Sequence, residues 1–366
     1  MSRILFLAAN LCSGGAERQM VTVACLLKER GHDVTVYCYD SADFYAEILR
    51  QANIPIVWDL TPNSYLKRII RVRGFVRKGH FDAVISFLET CNLLNDISAI
   101  GGKTWKVITG ERSAKEAFFQ SRRGRIFSWF QRYTDYIVCN SQNATHLWKK
   151  YYPGFSDKLF VIYNCVTLGK IDTEYVPIRN GRTHFLVAAT YQYLKNPLGL
   201  AEALSQMTTE EKNNIVVDWY GRKEIAVGDD RAYNDVKHSI EQHNISNIFR
   251  LHEDTKDIAN LMFQADVVML LSKFEGLPNV ICESMTIGKP IIMSRVSDYS
   301  VLVDDSNGLL CDWDKPETIK DSMLKMASFN ERRLLEMGNS SKSKAEQLFS
   351  KEEVAKKWEC AINKCK

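Results

Sequence analysis

The chain has 366 residues, 45% of them hydrophobic and 25% charged, with a formal net charge of +4. That profile belongs to a soluble globular protein with room for two ordinary domains, and no apolar run approaches the roughly 20 residues that would span a bilayer. The charge is divided unevenly: residues 1–165 carry 22 Lys/Arg against 14 Asp/Glu, and the rest carry 26 against 30. A basic first half points to an anionic partner there, such as a membrane surface, a phosphate or a nucleic acid.

The opening "MSRILFLAANLCSGGAER" has too short an apolar run for a secretion signal. It reads as a buried strand over 3–10 followed by a glycine turn. "GGAERQMVTVACLLKERG" then gives a helix stopped by Gly31. Strands are predicted at 33–40, 81–88, 105–111 and 135–141, with helical stretches between them, and at 158–166, which closes the half. The polar, turn-rich "TLGKIDTEYVPIRNGRT" (167–183) reads as a linker. Strands at 184–190, 215–221, 248–253, 265–272 and 289–295 repeat the alternation, with helices in "NPLGLAEALSQM", "RAYNDVKHSIEQHN" and "PNVICESMTIG". The last segment, "SKEEVAKKWECAINKCK", is an amphipathic helix whose Ser350 and Glu353 match a capping box.

Continuous apolar strands alternating with helices predict parallel sheets covered on both faces. The expected fold is therefore α/β, with two Rossmann-like doubly wound domains facing across a cleft where open sheets bind ligands. The expected division is 1–166, a linker at 167–183, 184–345, and a final helix within 346–366. The ten cysteines are scattered without a C-x-x-C pair, and Cys38 and Cys139 sit in strand-like runs. They read as buried, reduced thiols of a cytoplasmic protein. None of the seven histidines has a metal-ligand spacing.

The stretch "FEGLPNVICESMTIGKP" (274–290) carries the most chemistry. It follows the apolar run "ADVVMLLS", so Ser272 and Glu275 emerge at the carboxyl edge of a sheet. Gly276 allows a tight turn or a close ligand approach, and Pro278 or Asn279 starts a helix. The first N–H groups of that helix favour a phosphate. Glu283 lies one turn on, and a carboxylate beside an anion site takes hydroxyls, such as those of a vicinal diol. The arrangement suits a phosphate held between two polyhydroxylated parts, as in a nucleotide sugar.

Glu275-x7-Glu283 with "EGLPN" inside, followed by "GKPII" and by "DDSNGLL" (304–310), closely resembles the donor-binding signature of family 4 retaining glycosyltransferases, which have the GT-B fold. "GGAER" (14–18), "VISFLETCN" (84–92), "ITGERS" (108–113), "VIYNCV" (161–166) and "YLKNP" (193–197) are similar to further family segments along nearly the whole chain. The resemblance implies an acceptor-binding N-terminal domain, a donor-binding C-terminal domain and a last helix that crosses back to the first.

It also implies roles. Glu283 would hold ribose hydroxyls, Glu275 would face the donor sugar, and Lys195 would neutralise the diphosphate leaving group. Backbone around Gly276, Leu277, Pro278 and Asn279, and around Gly14 and Gly15, would complete the cradle; the two early glycines also suit a simple strand–helix turn. No metal or other cofactor is implied beyond the nucleotide-sugar co-substrate, UDP-linked by resemblance.

One departure stands out. The Arg that such enzymes often carry five residues before the Lys is Thr190 here, and Arg222 or Arg295 are the candidates to replace it. On the acceptor side, "ITGERS" offers Glu111 and Arg112.

Other readings fit less well. A nicotinamide enzyme could use Asp40, but "CSGGAERQ" lacks the G-x-G-x-x-G spacing. An epimerase on the same fold, or a catalytically impaired nucleotide-sugar-binding homologue, stays open. "YLKRIIRVRGFVRKGH" (65–80) carries six Lys/Arg among apolar residues, and "SRRGRIF" (121–127) adds to it. As a basic amphipathic surface it suits an anionic membrane bearing a lipid-linked acceptor. No helix-turn-helix, RNA-recognition or zinc motif accompanies the charge, so nucleic acid is not expected. What the family resemblance implies is a retaining hexosyltransferase (EC 2.4), expected to work on a glycan or lipid-linked acceptor in bacterial polysaccharide synthesis at the cytoplasmic membrane face.

Overall fold

The computed structural model describes residues 1–61, 64–112, 116–166, 181–224 and 228–363. These residues form two compact units, Met1–Cys165 with Phe349–Lys366, and Val166–Leu348. Most of the expected linker, residues 167–180, lies outside the described residues.

The first unit holds a parallel sheet of β1 (Arg3–Ala8), β2 (Asp33–Cys38), β3 (Ile56–Trp58), β4 (Ala83–Phe87), β5 (Lys106–Glu111), β6 (Tyr136–Cys139) and β7 (Leu159–Val161), in the order β3-β2-β1-β4-β5-β6-β7. The second holds β8 (Thr183–Ala188), β9 (Ile215–Tyr220), β10 (Phe249–His252), β11 (Val267–Leu270), β12 (Ile291–Ser294) and β13 (Gly308–Cys311), in the order β10-β9-β8-β11-β12-β13. In both, the strand order reverses beside the first strand, which creates the switch point where doubly wound sheets leave a crevice at their carboxyl ends.

β1 shows why these runs are continuous rather than alternating. Ile4 and Phe6 pack into one core layer with Met20, Ala24 and Leu27 of the helix Gly15–Glu29. Leu5 and Leu7 pack into another, with Val72, Val76 and Leu94. Both faces are dry, so both parities must be apolar. Gly31, at φ 85°, ends the helix where the sequence places the stop.

β3 and β13 were not expected. Both are edge strands of three or four residues, too short for a periodic signal. The strand expected over 158–166 shortens to Leu159–Val161; beyond it the buried chain is held by the Gln19 side-chain amide, which donates to the Cys165 carbonyl at 3.0 Å.

The last helix expected after the Ser350 cap is Lys351–Asn363, and it is preceded by the helix Glu331–Phe349. Ser350 separates them, and its Oγ accepts the Glu353 N–H at 3.3 Å. The last helix packs into the first unit. Trp358 is buried 5.8 Å from the Phe87 ring, and Arg30 pairs with Glu352 at 3.0 Å and with Glu359 at 2.8 Å. Six of the nine described cysteines are buried.

Candidate active site

In the second unit, the carboxyl ends of β8, β9, β10 and β11 surround a cavity of about 560 Å³. Each strand delivers a different chemical group. β8 ends in Ala188, and the chain continues through Ala189 and Thr190 along the wall. It then makes a tight turn over Tyr193–Lys195 that carries Lys195 into the cavity. That turn is fixed from three sides. Asn196, at φ 65°, donates from Nδ2 to the Trp313 carbonyl at 2.7 Å; the Lys195 N–H reaches the Gln192 carbonyl; and the Lys273 N–H reaches the Leu194 carbonyl at 2.8 Å.

β9 supplies Tyr220, Gly221 and Arg222. Arg222 is exposed and stands with Thr190 in the same wall, whereas Arg295 pairs with Asp312 at 2.8 Å and lies outside this cavity. Of the two candidate replacements for the missing cation, the fold brings only Arg222 to the site. Asp312 is also paired with Lys315 at 3.3 Å.

β11 supplies Glu275, Leu277, Pro278, Asn279 and Val280. The helix Asn279–Thr286 begins in the cavity wall, so its N-terminal end, the positive end of its dipole, lies at the site. Pro278 occupies the cap position and Asn279 the first helical position, the reverse of the placement the two residue types favour; no side chain caps this helix. Lys195 Nζ donates to Glu275 Oε1 at 2.5 Å, and Ser272 Oγ donates to the same oxygen at 2.7 Å. Ser272 itself is buried and is not a wall residue. The Gly276 carbonyl accepts from the hydroxyl of Ser297, a residue held at φ 53°.

Two groups of predicted residues are not in the cavity wall. Glu283 is half-buried one turn along the 279–286 helix and is not among the cavity-lining residues. Gly14 and Gly15 begin the helix Gly15–Glu29 of the first unit.

Glu111 and Arg112 also belong to the first unit, at the end of β5. The Arg112 guanidinium lies 3.8 Å from the centre of the Phe87 ring and donates to Asn164 Oδ1 at 3.3 Å. Burial pulls its pKa down to about 10. Arg112 is thus packed against aromatic rings inside its own unit.

The sequence reading missed Asp254 and Thr255, which reach the cavity from the loop after β10, Ile258, which opens the next helix, and Tyr220. The only signal available was position, just beyond the ends of strands. Tyr220 stacks on His252, with ring centres 4.4 Å apart and planes at 12°. His252 Nε2 donates to Asp218 at 2.6 Å, and His184 donates to the other oxygen at 2.7 Å. Burial pushes the Asp218 pKa up, but the two histidine hydrogen bonds outweigh it and hold the carboxyl below its ordinary value.

Chemically, the cavity places two cations and a helix start, which suit a diphosphate, beside a carboxylate, which suits hydroxyls.

The chain matches the family model described as Glycosyl transferases group 1 over residues 172–343, and the model described as Glycosyltransferase Family 4 over residues 13–170. A Campylobacter jejuni GalNAc-α-(1→4)-GalNAc-α-(1→3)-diNAcBac-PP-undecaprenol α-1,4-N-acetyl-D-galactosaminyltransferase is 23% identical, over 98% of this chain and 97% of its own. An Escherichia coli UDP-Gal:α-D-GlcNAc-diphosphoundecaprenol α-1,3-galactosyltransferase is 22% identical, over 85% and 84%. Among solved structures, Anabaena HepE in complex with UDP superposes with a TM-score of 0.84 at 18% identity, over 99% of this chain and all of that one. A Rickettsia africae glycosyltransferase gives 0.81 at 17% identity, over 99% and 98%. At these identities the solved structures establish likeness of fold.

Proposed function

Because the chain belongs to the family 4 glycosyltransferases of group 1, we propose that its second unit holds a UDP-sugar in the cavity at the ends of β8–β11 and transfers the sugar to a lipid-linked glycan. The protein is a glycosyltransferase with the GT-B fold. The observation that carries the donor reading is the meeting of Lys195, Arg222, Glu275 and the start of the 279–286 helix in one cavity. The UDP choice draws on HepE, solved with UDP, and on the E. coli relative, named for UDP-Gal. The lipid-linked acceptor draws on the undecaprenol-linked substrates named for both relatives. Neither relative favours the epimerase reading.

In this proposal the bond from the anomeric carbon to the β-phosphate oxygen breaks, and both electrons leave with the phosphate. An acceptor hydroxyl oxygen bonds the same carbon from the same face, so configuration is retained, and its proton passes to the departing phosphate. Lys195, Arg222 and the helix N–H groups stabilise the charge that grows on the diphosphate, in place of a metal. Glu275 orients the donor sugar through its hydroxyls. Glu283, four residues after Asn279 on the same helix face, takes the ribose hydroxyls.

The test is thermal melting in EDTA with UDP, UDP-hexoses and GDP-hexoses. UDP ligands at a hundred times Kd should raise Tm by about 5 °C or more, Glu283→Ala should remove that shift, and turnover should survive EDTA. No shift with any of these ligands overturns the donor reading.

The proposed site of action is the cytoplasmic face of an anionic membrane, met by the first unit. Among the described residues no helix is long and apolar enough to cross a membrane. Support comes from the helices Tyr65–Lys78 and Arg122–Phe130, which expose Leu66 (66%), Ile70 (62%), Ile126 (59%) and Trp129 (50%). Lys67, Arg122, Arg123, Arg125 and Arg132 are exposed with them, and the Arg132 guanidinium sits 3.6 Å from the Trp129 ring.

Not all of the basic residues in the 65–78 helix are available for this. Arg73 donates to the Ile97, Ser98 and Ile100 carbonyls, and Arg77 to that of Gly102 at 2.8 Å, closing the end of the helix Glu89–Ala99. In flotation assays the protein should bind vesicles containing phosphatidylglycerol and ignore pure phosphatidylcholine. A Trp129→Ala, Ile126→Asp double variant should lose about tenfold in binding. Equal binding to both vesicle types sinks the membrane contact and leaves the donor site untouched.

A further inference from the structure

We infer that Glu275 distinguishes the intact donor from the spent nucleotide, by giving up Lys195 to the one and reclaiming it from the other; this rests on the donor-site reading above. Lys195 Nζ and Ser272 Oγ both donate to the same oxygen, Glu275 Oε1, at 2.5 and 2.7 Å. The side chains of Lys195 and Glu275 are only 22% and 13% exposed, so water replaces little of what either would lose. A diphosphate entering the cavity must therefore take the ammonium away from a carboxylate that already holds it.

Glu275 cannot simply follow the lysine. Ser272 is buried, and its own carbonyl accepts Ser294 Oγ at 2.6 Å, so the anchor on Glu275 is fixed in the sheet edge. Once Lys195 turns to phosphate, Glu275 is left beside an anion with one hydroxyl donor, in a poorly solvated place. That is unfavourable unless new donors arrive.

A nucleotide sugar brings them: its diphosphate takes the lysine, and its sugar hydroxyls donate to the carboxylate. A nucleoside diphosphate brings only the first. Before transfer both side chains have partners. After transfer the sugar has gone, the carboxylate has lost its donors, and re-forming the Lys195–Glu275 pair favours release of the nucleotide. Glu275 thus sets specificity for substrate over product, and Ser272 is a positioning residue.

The test compares wild type, Glu275→Gln, Lys195→Gln and the double variant by calorimetric titration with UDP and, separately, inorganic pyrophosphate. Glutamine keeps the shape and the acceptor oxygen but not the charge. Glu275→Gln should bind UDP and pyrophosphate about tenfold more tightly than wild type, and that gain should vanish in the Lys195→Gln background. UDP inhibition of transfer should strengthen in parallel. Pyrophosphate repeats the comparison without a base, so the choice of nucleotide does not hide the effect. Unchanged or weaker UDP binding in a folded Glu275→Gln protein overturns the exchange, as does a gain that persists without Lys195. If wild type binds neither UDP nor pyrophosphate, the donor-site reading falls, and the exchange falls with it.

Discussion

Lys195→Ala is expected to lower kcat by about 10²- to 10³-fold, the usual loss when one preorganised charge aimed at a developing anion is removed. The argument is geometric before it is electrostatic. Lys195 is not a floppy surface lysine: its turn is pinned through Asn196, Leu194 and Gln192, and its ammonium reaches into the cavity from the end of β8. The charge on the diphosphate is greatest after the glycosidic bond has begun to break, so the loss should fall more on kcat than on KM. Lys195→Arg should recover part of the rate, because charge returns with a different geometry. The exposed Lys237→Ala serves as control and should behave as wild type. A kcat within about threefold of wild type for Lys195→Ala would remove leaving-group stabilisation from this residue.

Much of this site could be read before the fold was known, and the parts that could not share a cause. The strands were legible because burial on both faces leaves long apolar runs, as in β1 and β11. The turn "EGLPN" was legible because its residue types have few other uses at the end of such a run. Pairings between distant segments were not. Lys195 and Glu275 are 80 residues apart, and each reads as a separate ligand contact rather than as the other's partner. Arg222 and Arg295 were equivalent in sequence; the fold separates them, putting Arg222 in the cavity wall and Arg295 against Asp312.

The basic stretch at 65–80 shows the same limit from the other side. Two of its arginines look like surface charge, yet they complete the open carbonyls at the end of the 89–99 helix. Backbone carbonyls carry no sequence signal, so that use of a cation is invisible until the chain is folded.

Gly221→Ala should damage both stability and donor binding, although it adds a single methyl group. Gly221 is where β9 leaves the sheet to form the cavity wall. A Cβ there would sit 1.9 Å from the Ala189 carbonyl oxygen, 2.7 Å from its carbon and 3.2 Å from the Thr190 Cα. All three are backbone atoms, so no side-chain rotation relieves the contact.

The Ala189 carbonyl is also the acceptor for the indole N–H of Trp219 at 2.7 Å, and Trp219 is fully buried. Moving that carbonyl weakens this bond. It also strains the neighbouring bonds from the Ala189 N–H to the Tyr220 carbonyl and from the Tyr191 N–H to the Arg222 carbonyl, both 3.0 Å. Overpacking and a loosened buried hydrogen bond together should cost about 2–4 kcal/mol, read by urea denaturation. Because Thr190 and Arg222 flank the clash, a shift of about 1 Å in the wall should also lower kcat/KM by about 100-fold in the protein that remains folded. Gly154→Ala is the comparison. Nothing lies within 4 Å of its added Cβ, so its stability should stay within about 0.5 kcal/mol of wild type. If Gly221→Ala matches Gly154→Ala in both denaturation and kcat/KM, then the close approach of β8 and β9 does not shape the cavity, and the placement of Arg222 beside Thr190 loses its physical basis.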